Sequence, residues 1–434
     1  MNKVAKNAVW IIGCKLVQSL LTFIVGMMTA RYLGPSNYGL ITYAASLVAF
    51  VVPISTLGLN NILVREIVDN TEMEGVNLGT AIFLNLISSV LCIIGVTVFS
   101  ALTNPNEPIT TIVCFLYSII LLFQALEQIN YWFQAKLLSK YTSIVSLCAY
   151  SVVAAYKIFL LATGKSIYWF AVSNALDACL IAAANLAIYH KLGGQKLSIS
   201  FKTGKRLFAK SRFYIVSSMM VTVFAQTDKI MLKLMLNDAA VGYYGAAVAC
   251  AGLTSFVFTA IIDSFRPSIF EGYKINEQVF EHRLKMLYSL IIYLSLAQSA
   301  IMAVFSGLIV HIIYGEEYIL AGDALRIIVW YTTFSYLGSV RNIWILTYNQ
   351  QKQLWKINLS GALANVLLNA LLIPIWGVNG AALASLVTQF FTNVVIGYLI
   401  PSIRGNNVIM IRGCNPRYIA EAIKQLFSLK SRTT

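Results

Sequence analysis

Charge is what this sequence has least of. Of 434 residues only 11% are Asp, Glu, Lys or Arg, less than half the roughly 25% usual in soluble domains. A water-facing surface so poor in charge would aggregate, which excludes an ordinary soluble fold. A disordered chain needs the opposite composition and is excluded too. Histidine is scarcer still: His190, His282 and His311 stand far apart with no ligand spacing. The seven cysteines hold no C-x-x-C pair, and six lie in apolar runs, where cysteine packs as a small hydrophobe. Neither disulfides nor a metal centre is implied. Signatures of catalysis are missing as well. Thr163-Gly164-Lys165-Ser166 ends like a phosphate-cradling loop, but Phe159 stands where its first glycine belongs. No H-E-x-x-H and no nucleophile–base pair is visible, and no loop is long enough for a soluble catalytic domain. No enzyme and no cofactor is expected.

Apolar residues fill the space, at 58% of the chain and a mean hydropathy of +0.74. Crossing about 30 Å of hydrocarbon takes a helix of about 20 apolar residues. Twelve runs satisfy this, near 8–30, 38–62, 79–102, 109–133, 142–162, 167–189, 213–236, 241–265, 286–313, 321–346, 355–373 and 379–400. Breaks fall at turn-forming residues: Gly34-Pro35-Ser36-Asn37, Asn104-Pro105-Asn106, Gly193-Gly194, Asn237-Asp238 and Pro374. The first run follows Lys3 and Lys6, is too long for a signal-peptide core and shows no small-residue cleavage site, so it reads as a retained span.

The net charge of +15 does not mark a nucleic-acid binder, because the basic residues are not gathered into one basic domain. They alternate instead. With the N-terminus inside, only Arg31 and Lys165 fall in outer loops, and every other loop lysine and arginine lies inside. Both termini are therefore expected in the cytoplasm. The most basic loop, 191–212, separates two blocks of six spans, 1–190 and 213–401, and a basic tail follows over 402–434. A shift of 203 residues lays the first span on the seventh, Gly39 on Gly242 and Ala44 on Ala247. The expectation is an all-α polytopic membrane protein of about 12 transmembrane helices, built as two six-helix lobes in a parallel repeat around a central cavity.

Ten ionisable residues fall within the spans: Lys15, Lys157, Lys229, Lys233, Arg326, Arg341, Glu127, Asp177, Asp228 and Asp263. Each costs about 2.5–3.5 kcal/mol at a bilayer centre, so most must pair, snorkel or line a wet cavity. Helical spacing sorts some of them. Thr222, Gln226, Lys229 and Lys233 form one stripe, Lys15, Ser19, Thr22, Gly26 and Thr29 a second, and Ser255, Thr259, Asp263 and Arg266 a third. Together these outline a cationic, substrate-binding cavity of Lys15, Lys229 and Lys233, with Arg31, Arg65 and Arg266 at its mouths. Asp228 and Asp263 serve there as counter-ions or ion-coupling groups. Such a cavity suits an anionic ligand.

The plainer readings stand beside these. Lys15 and Lys233 lie close enough to an interface to snorkel. Glu127, Lys157 and Asp177 fit a buried structural network. Arg326 and Arg341 are either cavity residues or the ends of a tilted helix. Tyr131, Trp132, Tyr168, Trp169 and Tyr331, near span ends, read as interfacial anchors.

Three stretches carry a family resemblance. Arg31-Tyr32-Leu33-Gly34-Pro35-Ser36-Asn37-Tyr38-Gly39 with Tyr43-Ala44 resembles the opening signature of the polysaccharide-biosynthesis flippases, the O-antigen and capsule repeat-unit translocases. Gln226-Thr227-Asp228-Lys229-Ile230-Met231-Leu232, then Val241-Gly242-Tyr243-Tyr244 and Ala246-Ala247, is similar to that family's signature over spans seven and eight. Ile373-Pro374-Ile375-Trp376-Gly377-Val378-Asn379-Gly380-Ala381-Ala382 resembles its turn before the last span, shared with multidrug extruders and lipid II flippases.

The resemblance implies alternating access between two lobes. The implied cargo is an undecaprenyl-diphosphate-linked oligosaccharide, carried from the cytoplasmic to the outer leaflet. It makes Arg31, Asp228 and Lys229 motif positions. The implied setting is a bacterial inner membrane, with membrane lipids, a polysaccharide polymerase and a chain-length regulator as partners and no nucleic acid. The rival is an ion-coupled exporter of small amphipathic compounds, which calls for an acidic cation site, whereas the charge within these spans leans basic.

Overall fold

The computed structural model describes residues 3–422, with side chains from Gly13 onward. The end of the basic tail, from 423, lies outside the described residues. Among them there is no strand. The helices are α1 (Lys3–Ser55), α2 (Leu63–Asp69), α3 (Glu74–Thr103), α4 (Pro108–Ser118), α5 (Ile120–Leu126), α6 (Ile129–Ala135), α7 (Ser139–Ala162), α8 (Ile167–Lys191) and α9 (Phe201–Met235). They continue as α10 (Asp238–Ala251), α11 (Ser255–Ile275), α12 (Glu277–Val304), α13 (Ser306–Tyr314), α14 (Leu320–Thr347), α15 (Leu354–Phe390), α16 (Ile396–Leu399) and α17 (Arg404–Gly413). A π-helical turn, Phe391–Val395, joins α15 to α16. Two compact units divide the chain, residues 1–242 and 243–434.

Among the described residues eight helical segments are long and apolar enough to cross a membrane, or nine when the α10–α11 pair, bent by 42°, counts as one span. Two of the eight, Gly13–Ser55 and Gln351–Leu399, run to 43 and 49 residues. Each is broken by a glycine in a conformation that disfavours a side chain: Gly34 at φ 70° and Gly377 at φ 57°. Both breaks fall in the turn stretches legible from sequence. α14 is as long as α12 and carries Asp323, Arg326 and Arg341 along its length. Length and composition therefore do not by themselves return the twelve spans expected.

The faces of the long helices are inverted relative to those of a water-soluble protein. On α15, Gly361, Asn365 and Asn369 point inward and are buried, while Leu363, Leu367 and Leu371 are exposed. On α3, Asn85, Ser88, Ser89 and Cys92 are buried, and Phe83, Ile87, Leu91 and Ile94 face out. Small and polar residues bring membrane helices together because lipid is as apolar as leucine and provides no hydrophobic drive. The Ser55 and Ser89 hydroxyls meet at 2.8 Å, and Ser89 donates to the Leu121 carbonyl at 3.0 Å, tying α1, α3 and α5. This is a multi-pass membrane protein.

The basic loop over 191–212 is not a loose tether. Its first part has no regular secondary structure, and its second part is the start of α9. The Gln195 side chain accepts from the Gly75 amide at 3.1 Å and donates to the Thr71 carbonyl at 2.8 Å. Arg206 and Lys210 then both reach Glu66, a buried carboxylate on α2. A second buried carboxylate, Glu74, takes Lys136 at 2.8 Å. These lysines and arginines hold segments of unit 1 together.

Candidate functional site

The long helix α9 carries the strongest concentration of intramembrane charge, and its side chains differ sharply along its length. Near its C-terminal end Lys233 is enclosed, with a side chain only 3% exposed. Its ammonium lies 2.5 Å from the Glu107 carboxylate and 2.8 Å from that of Asp238. Glu107 ends the short loop between α3 and α4, and Asp238 opens α10. Glu107 lies outside the spans, and Lys233 and then the Thr110 hydroxyl hold its carboxyl below its usual range. Lys233 thus neither snorkels nor stands free for a ligand. It staples three chain segments.

Beside this staple the chain makes a reciprocal close approach. A Cβ placed on Gly39 would strike the carbonyl oxygen of Asp238, and one placed on Gly242 would strike that of Pro35. The 203-residue shift maps Pro35 to Asp238 and Gly39 to Gly242, so each contact is the image of the other. Only glycine lets two backbones meet this closely. The repeat that appeared in sequence as two identities is a pair of matching contacts in space.

One helical turn back from Lys233 the environment changes. Lys229 is half-buried, and its ammonium donates to a neutral amide, the Gln226 side-chain oxygen, at 3.3 Å. Thr222, Gln226 and Lys229 lie on one face, as the spacing predicts. Asp228 is buried, at 4% exposure, about a third of a turn away round the helix. The face about a quarter-turn the other way, Thr227 and Ile230, borders an apolar groove against α1 and α3.

The remaining expected site residues are more dispersed. Lys15 and Arg31 are exposed on α1. Arg65 is exposed and pairs with Asp69 at 3.2 Å. In unit 2 Arg266 and Asp263 are exposed and pair with each other at 3.0 Å, one turn apart on α11. Of the two arginines left open on α14, Arg326 is exposed and Arg341 buried. Arg341 donates to the Thr392 carbonyl at 2.6 Å, in the π-helical turn, where the i→i−4 bonding of the α-helix is interrupted. Lys157 donates to Asn174 at 3.2 Å in unit 1. Trp132 is no interfacial anchor: it is buried, edge-on to Phe133 and Tyr189. Trp169 is exposed, as an anchor requires.

Sequence reasoning missed Glu66, Glu74 and Glu107 as partners of the basic residues. Glu107 had one visible signal, an acidic residue in a short loop among very few acids. Nothing in the sequence says which lysine it meets.

Comparison with known proteins bears on the whole chain. The lipid II flippase MurJ, in an inward closed conformation, superposes with a TM-score of 0.75 at 11% identity, covering 98% of this chain and 93% of that one. An inward-facing multidrug resistance MATE family transporter of the MOP superfamily gives 0.68 at 12% identity, over 90% and 95% of the two chains. These likenesses establish the fold. In sequence the chain is 25% identical over 234 residues to the probable low-salt glycan biosynthesis flippase Agl15 of Haloferax volcanii, which is 52% of this chain and 49% of that protein. The chain spans about half the length of the curated relatives it matches. Residues 4–272, more than half of the sequence, match the family described as "Polysaccharide biosynthesis protein", and the chain belongs to that family.

Proposed function

We propose that the protein is a flippase that moves an undecaprenyl-diphosphate-linked oligosaccharide, an O-antigen unit or a similar surface-polysaccharide repeat, from the cytoplasmic to the outer leaflet of a bacterial inner membrane. Both termini lie in the cytoplasm on this reading, as the loop charges require. The cargo has an anionic head and sugars that cannot cross hydrocarbon, and a tail that never needs to leave it. The observation that carries the reading is Lys229, a half-buried cation about two turns inside the C-terminal end of a membrane helix that rests on a neutral amide. A lysine so placed can exchange that amide for a phosphate oxygen in a charge-assisted hydrogen bond. Lys15 and Arg31 add exposed positive charge along the cargo's path. Arg65 and Arg266 stand at the mouths, each able to exchange a surface carboxylate for cargo. Asp228 and Asp263 are the groups through which an ion gradient would couple. Alternating access between two six-helix lobes delivers the head group to the other face. A polymerase and a chain-length regulator consume what is delivered.

The test is translocation in proteoliposomes loaded with a fluorescent lipid-linked repeat unit. Protein-dependent loss of inner-leaflet label supports the proposal. Failure to move it, together with export of a cationic dye, favours the exporter of small amphipathic compounds.

A further inference from the structure

The apolar groove beside Lys229 has no part in holding a sugar or a phosphate. Its volume is about 380 Å³, within the range of small-molecule sites. Leu47 and Phe50 of α1, Gly95 and Phe99 of α3, and Thr227 and Ile230 of α9 form the wall, with valine completing it. The one polar side chain there, Thr227, spends its hydroxyl on the Val223 carbonyl at 2.5 Å. Water in the groove would find no partner, and an apolar cavity of this kind stays dry.

Gly95 and Phe99 are both exposed, next to the exposed apolar side chains of Leu91, Ile94 and Val98 on the same helix, so the groove is open along α3 rather than enclosed. A Cβ on Gly95 would meet nothing within 4 Å. A glycine inside a helix weakens it relative to alanine, and here it keeps the floor of the groove clear. The same helix, α9, turns Thr227 and Ile230 to the groove and, about a quarter-turn away, Gln226 and Lys229 to their own face. A cation and a dry groove, open along the apolar exposed face of α3, on adjacent faces of one helix match an amphiphile with an anionic head.

We infer that the groove takes a stretch of the cargo's polyprenyl tail while the diphosphate sits against Lys229. The inference rests on the flippase reading above. It divides the recognition: the lysine selects the head, and the groove selects a long hydrocarbon chain bonded to it. A phospholipid acyl chain shares the tail's chemistry but lacks the doubly charged diphosphate that Lys229 complements.

The test is native mass spectrometry of the full-length protein with undecaprenyl diphosphate, farnesyl diphosphate and phosphatidylglycerol as separate probes. The wild type is expected to hold undecaprenyl diphosphate at least about tenfold more tightly than farnesyl diphosphate. Gly95→Leu, whose side chain enters open space, should erase that ratio and leave farnesyl diphosphate binding unchanged. Gly95→Ala should keep the ratio. Ile230→Phe fills the groove from the opposite wall and should repeat the Gly95→Leu result, which guards against a local folding defect. A ratio unchanged in both filling variants overturns the inference and spares the flippase reading. Loss of phosphatidylglycerol alone from the filling variants makes the groove a phospholipid site and also overturns it. A wild type that binds neither diphosphate overturns the flippase reading, and the inference with it.

Discussion

The two ends of α9 and the turn just inside its C-terminal end treat charge in opposite ways. At the N-terminal end Arg206 and Lys210 are committed to the buried Glu66. At the C-terminal end Lys233 is committed to Glu107 and Asp238. Between them Lys229 donates to an uncharged amide, with the Asp228 carboxylate beside it in the chain. The ends are fastened to the rest of unit 1 by ion pairs that reach across more than a hundred residues of sequence. A buried ion pair is weak evidence for net stability, but losing one partner strands the other, so such pairs fix geometry. The Lys229 cation is bound in a way that a ligand can replace. On the proposed function, basic residues of one helix thus serve as structure at its ends and, one turn in from Lys233, as a site.

The sharpest way to break this comparison is charge reversal at Lys229. Lys229→Glu should lower surface polysaccharide by at least about a hundredfold, because a desolvated charge partner becomes a repulsion. Immunoblotting of membranes should show normal insertion. Lys233→Met should do the reverse, reducing stability first. With the two carboxylates left facing each other, but 50% and 22% exposed and so partly screened, the loss should be about 2 kcal/mol, read as a fall in Tm. Normal stability in Lys233→Met would remove the distinction between Lys233 and Lys229.

The reciprocal glycines sharpen it further. Gly39→Ala and Gly242→Ala should each cost about 1–3 kcal/mol through backbone crowding. Matching geometry requires similar losses in thermal unfolding, and a loss at one position only would deny the symmetry. The smallest effect belongs to Glu107→Gln, under about 1 kcal/mol at neutral pH because the carboxylate is half exposed. Its carboxyl is held below the ordinary value of 4.5. Its stabilisation is therefore present above that value and lost as pH falls through the lowered one. Unfolding curves of wild type and Glu107→Gln should differ at pH 7 and converge only once pH has fallen below that lowered value.

What was legible in the sequence is what local chemistry determines. Apolar runs gave away the membrane helices, because lipid demands continuous apolar stretches. Gly34-Pro35 and the Pro374–Gly377 stretch marked the two breaks, because a positive φ after or before proline needs glycine. The identity of Gly39 and Gly242 pointed to a repeat. What stayed hidden depends on partners distant in the chain. Lys233 looked like a snorkelling or ligand-binding residue until Glu107, 126 positions away, closed on it. The loop over 191–212 read only as a basic divider between two blocks, since no periodicity reports that Gln195 meets Gly75. Trp132 sat at a span end in sequence and in the core in space. Arg341 could not be placed because its acceptor, the Thr392 carbonyl, is a backbone atom in a π-helical turn.

The central claim is that the positive charge of Lys229 holds the travelling head group. The measurement that meets it most directly is the rate of lipid-linked oligosaccharide translocation in proteoliposomes for Lys229→Arg and Lys229→Gln, at matched protein content. The account predicts that arginine keeps translocation within about tenfold of wild type, since it carries the same charge in a different shape, and that glutamine, similar in polarity but uncharged, abolishes it. Wild-type rates in Lys229→Gln would contradict the account.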